Sequence, residues 1–232
     1  EITKFELKQP VKKITTLKNT YEAKAVILAM GATPKKLGMK GEDEFIGAGV
    51  SYCATCDGAF FRERDVAVIG GGNTAVEDAL YLAKFCKKVY IVHRRDEFRA
   101  LKGMVDAAAE IDNIEFVLSH VPESINGENT VQSLTVKDVN TGQEKDLLVS
   151  GIFIAVGQTP KTDLVKDQVE LGEGGFIKAD ESCKTNLPGV SCAGDIRTKR
   201  MRQIVTAVAD GAVAADNSLG IDCVLQASRA NQ

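Results

Sequence analysis

The sequence predicts an α/β fold in which one complete α/β unit is inserted into a second domain. Residues 65–118 follow the order strand, helix, strand, helix, strand, which is typical of a parallel sheet built from βαβ units. Shorter blocks, residues 1–35 and 162–232, flank this unit on both sides. The chain has 232 residues, which is enough for one large domain or two small ones.

The first block, residues 1–35, contains three predicted strands. Residues 1–8 alternate like a strand that needs a partner, and residues 11–18 form a second strand. Residues 21–30 end in a continuous apolar run, as in a buried strand, before glycines and a proline break the pattern. No segment precedes the first strand to pair with it, so we expect the sequence to begin in the middle of a domain.

The second block, residues 36–161, holds the predicted parallel sheet. Apolar residues recur at helical spacing in residues 75–86 and 99–110. Buried-strand patterns occupy four segments: residues 65–69, 88–93, 115–118 and 151–156. Two alternating segments joined by Asn140-Thr-Gly-Gln predict a hairpin over residues 133–149.

The third block, residues 162–232, is predicted to contain a strand around Phe176, a strand at residues 190–193 and a helix from about Gln203 to Leu219. We therefore expect residues 1–35 and 162–232 to belong to one domain, which residues 36–161 interrupt.

Composition excludes several classes of protein. The formal net charge of −3 argues against nucleic-acid binding, for which a basic footprint is expected. No apolar run has the length needed to span a bilayer. Six cysteines are too few for a secreted disulfide scaffold, so we expect a cytoplasmic protein. In that compartment a Cys-x-x-Cys pair is typically catalytic or metal-binding.

A glycine turn follows the first predicted strand of the βαβ unit. Gly70 permits a tight turn, Gly72 lets the backbone approach a pyrophosphate, and the small Ala75 lets helix and strand pack closely. The helix that starts here directs free N–H groups at the phosphates, and Asn73 or Thr74 could cap it. The alternative is an ordinary glycine turn of an α/β fold.

A basic cluster ends the next predicted strand, about twenty residues on. An NAD site would have an acidic residue there to bind the ribose 2′-hydroxyl. This chain has His93, Arg94 and Arg95, with Arg99 beyond them, and such cations match a 2′-phosphate. The sequence thus favours NADP(H) over NAD, with a solvated basic surface as the alternative.

The sequence Cys53-Ala-Thr-Cys56-Asp57 has the spacing at which two thiols close a small disulfide ring. Asp57 could move the protons that dithiol exchange releases and takes up, or could be a turn residue before a glycine. Half a zinc site is the other interpretation, but it needs two more ligands. The remaining cysteines are isolated in sequence: Cys86, Cys183, Cys192 and Cys223.

In this order the motifs resemble the low-molecular-weight thioredoxin reductases, over essentially the whole chain. Gly194-Asp195, Arg202-Gln203 and Asp210-Gly211 look like the second flavin-binding segment of that family. The resemblance implies a Rossmann-like NADPH domain inserted into an FAD-binding domain. The family begins with a further strand–glycine–helix unit for the adenine half of FAD. No such unit occurs before residue 36, so we expect an incomplete FAD-binding domain.

The resemblance also implies roles for individual residues. Cys56 would receive electrons from the flavin, Cys53 would attack the disulfide of thioredoxin, and Asp57 would be the acid–base group. The positions that match the NADPH site are Gly70, Gly72, Asn73, Thr74, Ala75, His93, Arg94, Arg95 and Arg99. Those matching the flavin site are Gly194, Asp195, Arg202, Gln203 and Ile204, with Asp195 on the ribityl chain and Arg202 and Gln203 near the ring. Gly157 is a further predicted cofactor-binding position.

Family members are homodimers whose NADPH domain swivels about two linkers, which here would fall near residues 34–38 and 157–162. Three alternatives stay open at this point. A related reductase of peroxidase systems uses NADH, but its second nucleotide strand should end acidic. A ferredoxin-dependent flavin reductase would lack the glycine turn and the arginines. A flavin-free NADP-binding fragment without activity is the third.

Overall fold

The computed structural model describes the backbone of residues 1–230 and the side chains of residues 1–219. The chain folds as two compact units. We call Pro34–Gly157 the inserted unit, and Glu1–Thr33 together with Gln158–Gln232 the split unit. The α/β class is confirmed, whereas the assignment of one cofactor to each unit stays a prediction.

The strands and helices follow one another along the chain as β1 (Ile2–Glu6), β2 (Lys12–Thr16), β3 (Thr20–Ala23), β4 (Val26–Leu28), β5 (Ala32–Pro34), β6 (Val50–Ser51), α1 (Ala54–Asp57), β7 (Asp65–Ile69), α2 (Asn73–Leu82), β8 (Lys88–Val92), α3 (Lys102–Ala109), β9 (Ile114–Val117), β10 (His120–Gly127), β11 (Val131–Asp138), β12 (Glu144–Leu148), β13 (Gly151–Ile154), β14 (Gln158–Pro160), β15 (Val190–Cys192) and α4 (Ile204–Ala230). Short 3-10 helices occupy Gly58–Phe61, Glu173–Gly175 and Gly194–Ile196.

A five-stranded parallel sheet in the order β6-β13-β7-β8-β9 forms the centre of the inserted unit. Its middle strands are rich in valine and isoleucine and are buried on both faces, as parallel strands usually are. On one face α2 packs Ala75, Ala79 and Leu82 against the sheet. The predicted βαβ arrangement is therefore confirmed.

The other face of this sheet is covered by an antiparallel sheet of three strands, in the order β10-β11-β12. Leu134, Val136 and Leu147 of that sheet belong to one buried cluster with Ile69 and Ile152 of the parallel sheet. The predicted hairpin is β11 and β12. β10 is a strand that the sequence pattern does not predict: it contains Pro122, and its register shifts at Glu123 and again between Asn126 and Gly127.

The split unit corrects three expectations about the first block. The partner of β1 lies after it, because β1 pairs with β2, and β2 in turn with β3, in an antiparallel sheet. The predicted strand over residues 21–30 is two strands, since β3 stays in that sheet while β4 pairs in parallel with β15. Ile27 in β4 is exposed, so the apolar run is only partly buried.

Glycine explains why no strand forms around Phe176. Gly174 and Gly175 both adopt positive φ angles, 71° and 82°, which end any extended run before that residue. A 3-10 helix, Glu173–Gly175, occupies the position instead, and Ile177 makes only isolated bridges. Its side chain is nevertheless fully buried in the core of the split unit, beside Leu28, Val165 and Ile196.

The helices differ from prediction mainly at their ends. α2 begins two residues earlier than expected and ends at Leu82, and α3 is shorter than predicted. Gly72 is the N-cap residue of α2, and no side chain caps the helix. The expectation that Asn73 or Thr74 caps α2 is therefore wrong, because both lie inside its first turn. In the part of the chain that the structure describes, no helix is both long and apolar enough to cross a membrane.

Candidate active site

Cys53 and Cys56 are joined in a disulfide at the end of β6, with a Cα–Cα separation of 5.3 Å. Cys53 is the N-cap of α1, and its sulfur accepts a hydrogen bond of 3.2 Å from the Cys56 N–H. The Cys53 side chain is half-buried and that of Cys56 is exposed. Within residues 1–219, no group of three or more His, Cys, Asp or Glu side chains is arranged to hold a metal ion. Cys223 lies outside the described side chains.

A serine outside every predicted motif holds the carboxyl group of Asp57 in the disulfide loop. Ser51 Oγ lies 2.6 Å from Asp57 Oδ2 and accepts a bond of 3.0 Å from the Cys53 N–H. Ser51 is the last residue of β6, so it attaches the carboxyl and the disulfide to the parallel sheet. The acid–base role of Asp57 stays a prediction.

A buried carboxylate fixes the residue before Cys53. The hydroxyl of Tyr52 donates a hydrogen bond of 2.8 Å to Glu42, which also accepts from the backbone N–H groups of Leu37 and Gly38. Burial, with the bond to Glu42, raises the pKa of Tyr52 above its usual value. The glutamate thus ties the start of the inserted unit to the dithiol loop. No sequence motif marks this contact.

The glycine turn after β7 is shaped as the motif predicts. A Cβ atom on Gly70 would lie 2.5 Å from the carbonyl oxygen of Ala155 and 2.8 Å from Cβ of Ala75. At Gly72, by contrast, an added Cβ would meet nothing within 4 Å. The turn is therefore tightly packed at Gly70 and open at Gly72, where α2 begins without a side-chain cap.

His93 differs from the arginines that follow it. Its side chain is 7% exposed and stacks on Phe98, and a Cβ on Gly71 would overlap its ring. Burial, and secondarily the nearby arginines, lower the pKa of His93, although a bond to the backbone of Glu97 opposes this. The ring is buried, and its Nε2 has no partner among the described atoms. His93 therefore packs against the glycine turn as a neutral side chain.

Arg94, Arg95 and Arg99 are exposed, and none forms an ion pair within the described residues. The backbone brings Arg99 to the glycine turn, because Gly71 O accepts hydrogen bonds from the N–H groups of Arg99 and Ala100, at 2.7 and 3.2 Å. Asn73 Oδ1 accepts a further bond from Leu101. Three exposed guanidinium groups therefore lie in the segment that contacts the glycine turn, together with the exposed carboxylates of Asp96 and Glu97.

The second group of predicted residues lies in the split unit, directly after β15. Gly194 has a φ of 77° and starts a 3-10 helix that contains Asp195. Oδ1 of Asp195 is buried and has no hydrogen-bond partner among the described atoms. A buried carboxylate oxygen without a donor is costly, so this position is suited to a hydroxyl group of a ligand.

Arg202 and Asp210 complete this part of the site. The guanidinium of Arg202 lies over the ring of Phe176, 3.9 Å from the ring centre, and burial lowers the pKa of Arg202. Gln203 is half-buried and Ile204, which begins α4, is exposed. Asp210 accepts hydrogen bonds from Arg197, Lys199 and the N–H of Gly194. This buried ion pair anchors the loop of Asp195 to α4, and no sequence motif predicts its arginine.

The predicted residues thus form two groups, one in each unit. The inserted unit brings together the disulfide loop, the glycine turn and the arginines. The split unit brings together Gly194, Asp195, Arg202, Gln203 and Ile204. Gly157 is the last residue of the inserted unit, where its oxygen accepts a bond of 3.0 Å from the Lys35 N–H.

Both cofactors suggested by the sequence fit the residues present. A phosphate-bearing dinucleotide suits an uncapped helix N terminus with open space at Gly72 and unpaired arginines beside it. A ligand with hydroxyl groups suits the unpartnered oxygen of Asp195.

Comparison with known proteins gives consistent results. A family profile described as pyridine nucleotide-disulphide oxidoreductase matches residues 2–211. The chain is 46% identical over 221 residues to a thioredoxin reductase of Peptoclostridium acidaminophilum, covering 93% of this chain and 70% of that protein.

Solved structures agree. The thioredoxin reductase of Streptococcus pyogenes superposes with a TM-score of 0.88 at 43% identity, covering 98% of this chain and 74% of that one. The thioredoxin reductase of Giardia duodenalis has a TM-score of 0.90 at 34% identity, covering 96% and 74%. The dithiol, the glycine turn and these likenesses together show that the chain belongs to the pyridine nucleotide-disulphide oxidoreductases, in the thioredoxin reductase family.

Proposed function

We propose that this protein reduces the disulfide of thioredoxin with electrons from NADPH, using FAD and the Cys53–Cys56 pair. The observation that carries the proposal is the disulfide at the end of β6, with the Asp57 carboxyl bonded into the same loop. Membership of the thioredoxin reductase family supports the same reaction.

The exchange with thioredoxin follows from the chemistry of the two cysteines. When bound, the flavin supplies the electron pair, taken from NADPH, that reduces the Cys53–Cys56 disulfide. Cys53, as a thiolate, attacks one sulfur of the thioredoxin disulfide, so that a mixed disulfide forms and one thioredoxin thiolate leaves. The Cys56 thiolate then attacks the Cys53 sulfur, which restores the internal disulfide and releases the second thiolate. Asp57 takes a proton from the Cys56 thiol and returns it to a departing thioredoxin sulfur.

Other residues hold the cofactors. In the inserted unit, Gly70, Gly72, Ala75 and the first turn of α2 with Asn73 and Thr74 would receive the pyrophosphate of NADPH. The exposed Arg94, Arg95 and Arg99 would bind its 2′-phosphate, and His93 would support the turn. In the split unit, Asp195 would bind a hydroxyl of the ribityl chain, with Gly194, Arg202, Gln203 and Ile204 around the flavin. Gly157 joins the two units and would permit their movement.

We also propose that the protein is a cytoplasmic homodimer. Support for the dimer comes from exposed apolar side chains on α4, among them Val205, Val208 and Leu219, which a second copy would shield from water. Light scattering of the purified protein should give twice the mass of one chain. A mass of one chain at micromolar concentration would contradict the dimer.

A trapping experiment tests the division of work between the cysteines. Cys56→Ser leaves Cys53 free to attack oxidised thioredoxin but removes the thiol that resolves the product, so a mixed disulfide should accumulate on non-reducing gels. Cys53→Ser should trap far less. Cys86→Ser is the matched control, because Cys86 is buried and burial raises its pKa to about 11, which makes it unreactive.

Accumulation in the Cys53 variant instead would reverse the two roles. No trapping by either variant, together with no thioredoxin-dependent oxidation of NADPH by the FAD-loaded protein, would contradict the proposed function.

A further inference from the structure

Ser51 contacts both functional parts of the dithiol loop through a single oxygen atom. Its Oγ lies 2.6 Å from Asp57 Oδ2, 3.0 Å from the Cys53 nitrogen and 3.3 Å from the Cys53 carbonyl oxygen. The side chain is 6% exposed, so water does not compete freely for these bonds. One hydroxyl therefore links the acid–base candidate to the backbone of the cysteine that attacks thioredoxin.

A hydroxyl group has one hydrogen and two lone pairs, and this limits how the bonds are shared. One lone pair accepts from the Cys53 N–H. When Asp57 is ionised, the hydrogen of Ser51 points to its carboxylate at 2.6 Å. When Asp57 carries a proton, the carboxyl donates to the second lone pair of Oγ, and the Ser51 hydrogen turns to the Cys53 carbonyl. Both states are hydrogen-bonded without movement of any heavy atom.

The sheet supplies the rigidity that this arrangement needs. Ser51 pairs with Phe153 in the parallel ladder between β6 and β13, and Phe153 is buried in the core. The hydroxyl is therefore carried by a residue of the sheet and not by the disulfide loop itself. A group placed on a strand is held more precisely than one on a loop.

We propose that Ser51 is the positioning residue of Asp57: its hydroxyl holds the carboxyl in the dithiol loop and turns between two acceptors as the proton leaves and returns. This inference rests on the proposed function, in which Asp57 moves a proton during thiol–disulfide exchange. It assigns to Ser51 no contact with thioredoxin or with either cofactor.

The test uses the exchange reaction alone, which needs neither flavin nor NADPH. The protein is reduced with dithiothreitol, freed of reductant and mixed in a single turnover with one of two disulfides. Oxidised thioredoxin has sulfurs that need a proton as they leave, whereas 5,5′-dithiobis(2-nitrobenzoate) releases a stable thiolate that needs none. Acid quenching and thiol alkylation give the rates.

We expect Ser51→Ala to slow thioredoxin reduction about tenfold, the usual effect of losing a hydrogen bond to a charged group. The rate with the nitrobenzoate reagent should stay unchanged. Ser51→Thr keeps the hydroxyl and should recover most of the lost rate. Adding Ser51→Ala to Asp57→Asn should slow the reaction no further, because the serine acts through the carboxyl. Ser133→Ala, at another buried serine of the inserted unit, is the matched control.

The outcomes separate the inference from the proposed function. If Asp57→Asn slows thioredoxin reduction and Ser51→Ala does not, the inference on Ser51 is wrong and the role of Asp57 stands. If Asp57→Asn has no effect, the acid–base role in the proposed function is itself wrong. Multiplied effects in the double variant, or equal slowing with both reagents, would show that Ser51 only maintains the fold of the loop.

Discussion

Replacing Asp210 with asparagine removes the charge that balances Arg197 inside the split unit. The Arg197 side chain is 1% exposed, and its Nε and Nη2 lie 2.8 and 2.7 Å from the two oxygens of Asp210. Lys199 contributes a third bond of 2.7 Å. Breaking a buried pair by changing one partner typically costs about 3–5 kcal/mol, because a buried charge is left uncompensated.

We take the lower end of that range, because asparagine keeps one side-chain oxygen that can accept a hydrogen bond from Arg197. The ion pair between Arg197 and Glu181, at 3.1 Å, adds little, because the Glu181 side chain is 89% exposed. With a urea dependence of about 2 kcal/mol/M, a loss of about 3 kcal/mol lowers the unfolding midpoint of the split unit by about 1.5 M. Circular dichroism during urea unfolding measures this shift. Asp216→Asn is the control, because Asp216 lies on the same helix and is exposed.

The destabilisation caused by Asp210→Asn should also decrease as the pH falls. Burial opposes ionisation of Asp210, but the bonds from Arg197, Lys199 and Gly194 outweigh it and hold the pKa of the folded state well below the usual range. A lowered folded pKa stabilises the protein above the unfolded pKa of about 3.9, and this stability is lost as the pH falls below that value. The difference in urea midpoint between the unsubstituted protein and Asp210→Asn should therefore be largest near neutral pH and should decrease between about pH 5 and pH 2. A midpoint difference that does not change with pH would refute this reasoning. A midpoint shift no larger than that of Asp216→Asn would refute it as well.

Two further predictions concern the nucleotide site. Changing Arg94 and Arg95 to glutamine should weaken NADPH binding by about ten- to a hundredfold for each arginine and leave NADH nearly unaffected, because in the proposed site each arginine would form a charge-assisted bond to the 2′-phosphate; equal losses in calorimetry with both nucleotides would contradict this assignment. Gly72→Ala should fold normally and bind NADPH poorly, since its side chain occupies open space, whereas Gly71→Ala should lower the thermal midpoint through overlap with His93. Normal NADPH binding by Gly72→Ala would show that the phosphates lie elsewhere.

The sequence predicts the inserted unit well because its signals are local. β7, the glycine turn, α2 and β8 follow each other within residues 65–92, and each has its own periodicity or turn residue. The residues of the Cys53–Cys56 pair are three apart, so their spacing alone predicts a disulfide ring. Patterns of this kind involve residues that are close in sequence, so they can be recognised without knowledge of the fold.

The errors come from contacts between distant segments. The apolar run at residues 24–30 does not reveal that β3 and β4 belong to different sheets, because that choice depends on β15. β10 contains a proline, which lowers strand propensity, yet pairing with β11 determines its conformation. Neither the bond from Ser51 to Asp57 nor that from Tyr52 to Glu42 follows from composition or spacing, since both require the folded loop.

The same distance in sequence explains why only the family resemblance predicts the proposed flavin-binding residues. Asp195, with its unpartnered oxygen, looks like any other acidic residue until β15 and α4 place it. Arg197 and Asp210 are separated by a loop and the start of a helix, so no periodicity links them. The position of His93 in the sequence groups it with the arginines, although its ring is buried under Gly71.

The discontinuity of the split unit has a consequence for synthesis on the ribosome. Val26 of β4 pairs with Val190 of β15, so β4 cannot pair with β15 until the whole inserted unit has been synthesised. The inserted unit is one continuous segment and can fold during that wait. Once folded, it holds its own ends together through the bond between Lys35 and Gly157. Joining β4 to β15 then closes a shorter loop than it would with the inserted unit unfolded, and the entropy loss is smaller by a modest amount.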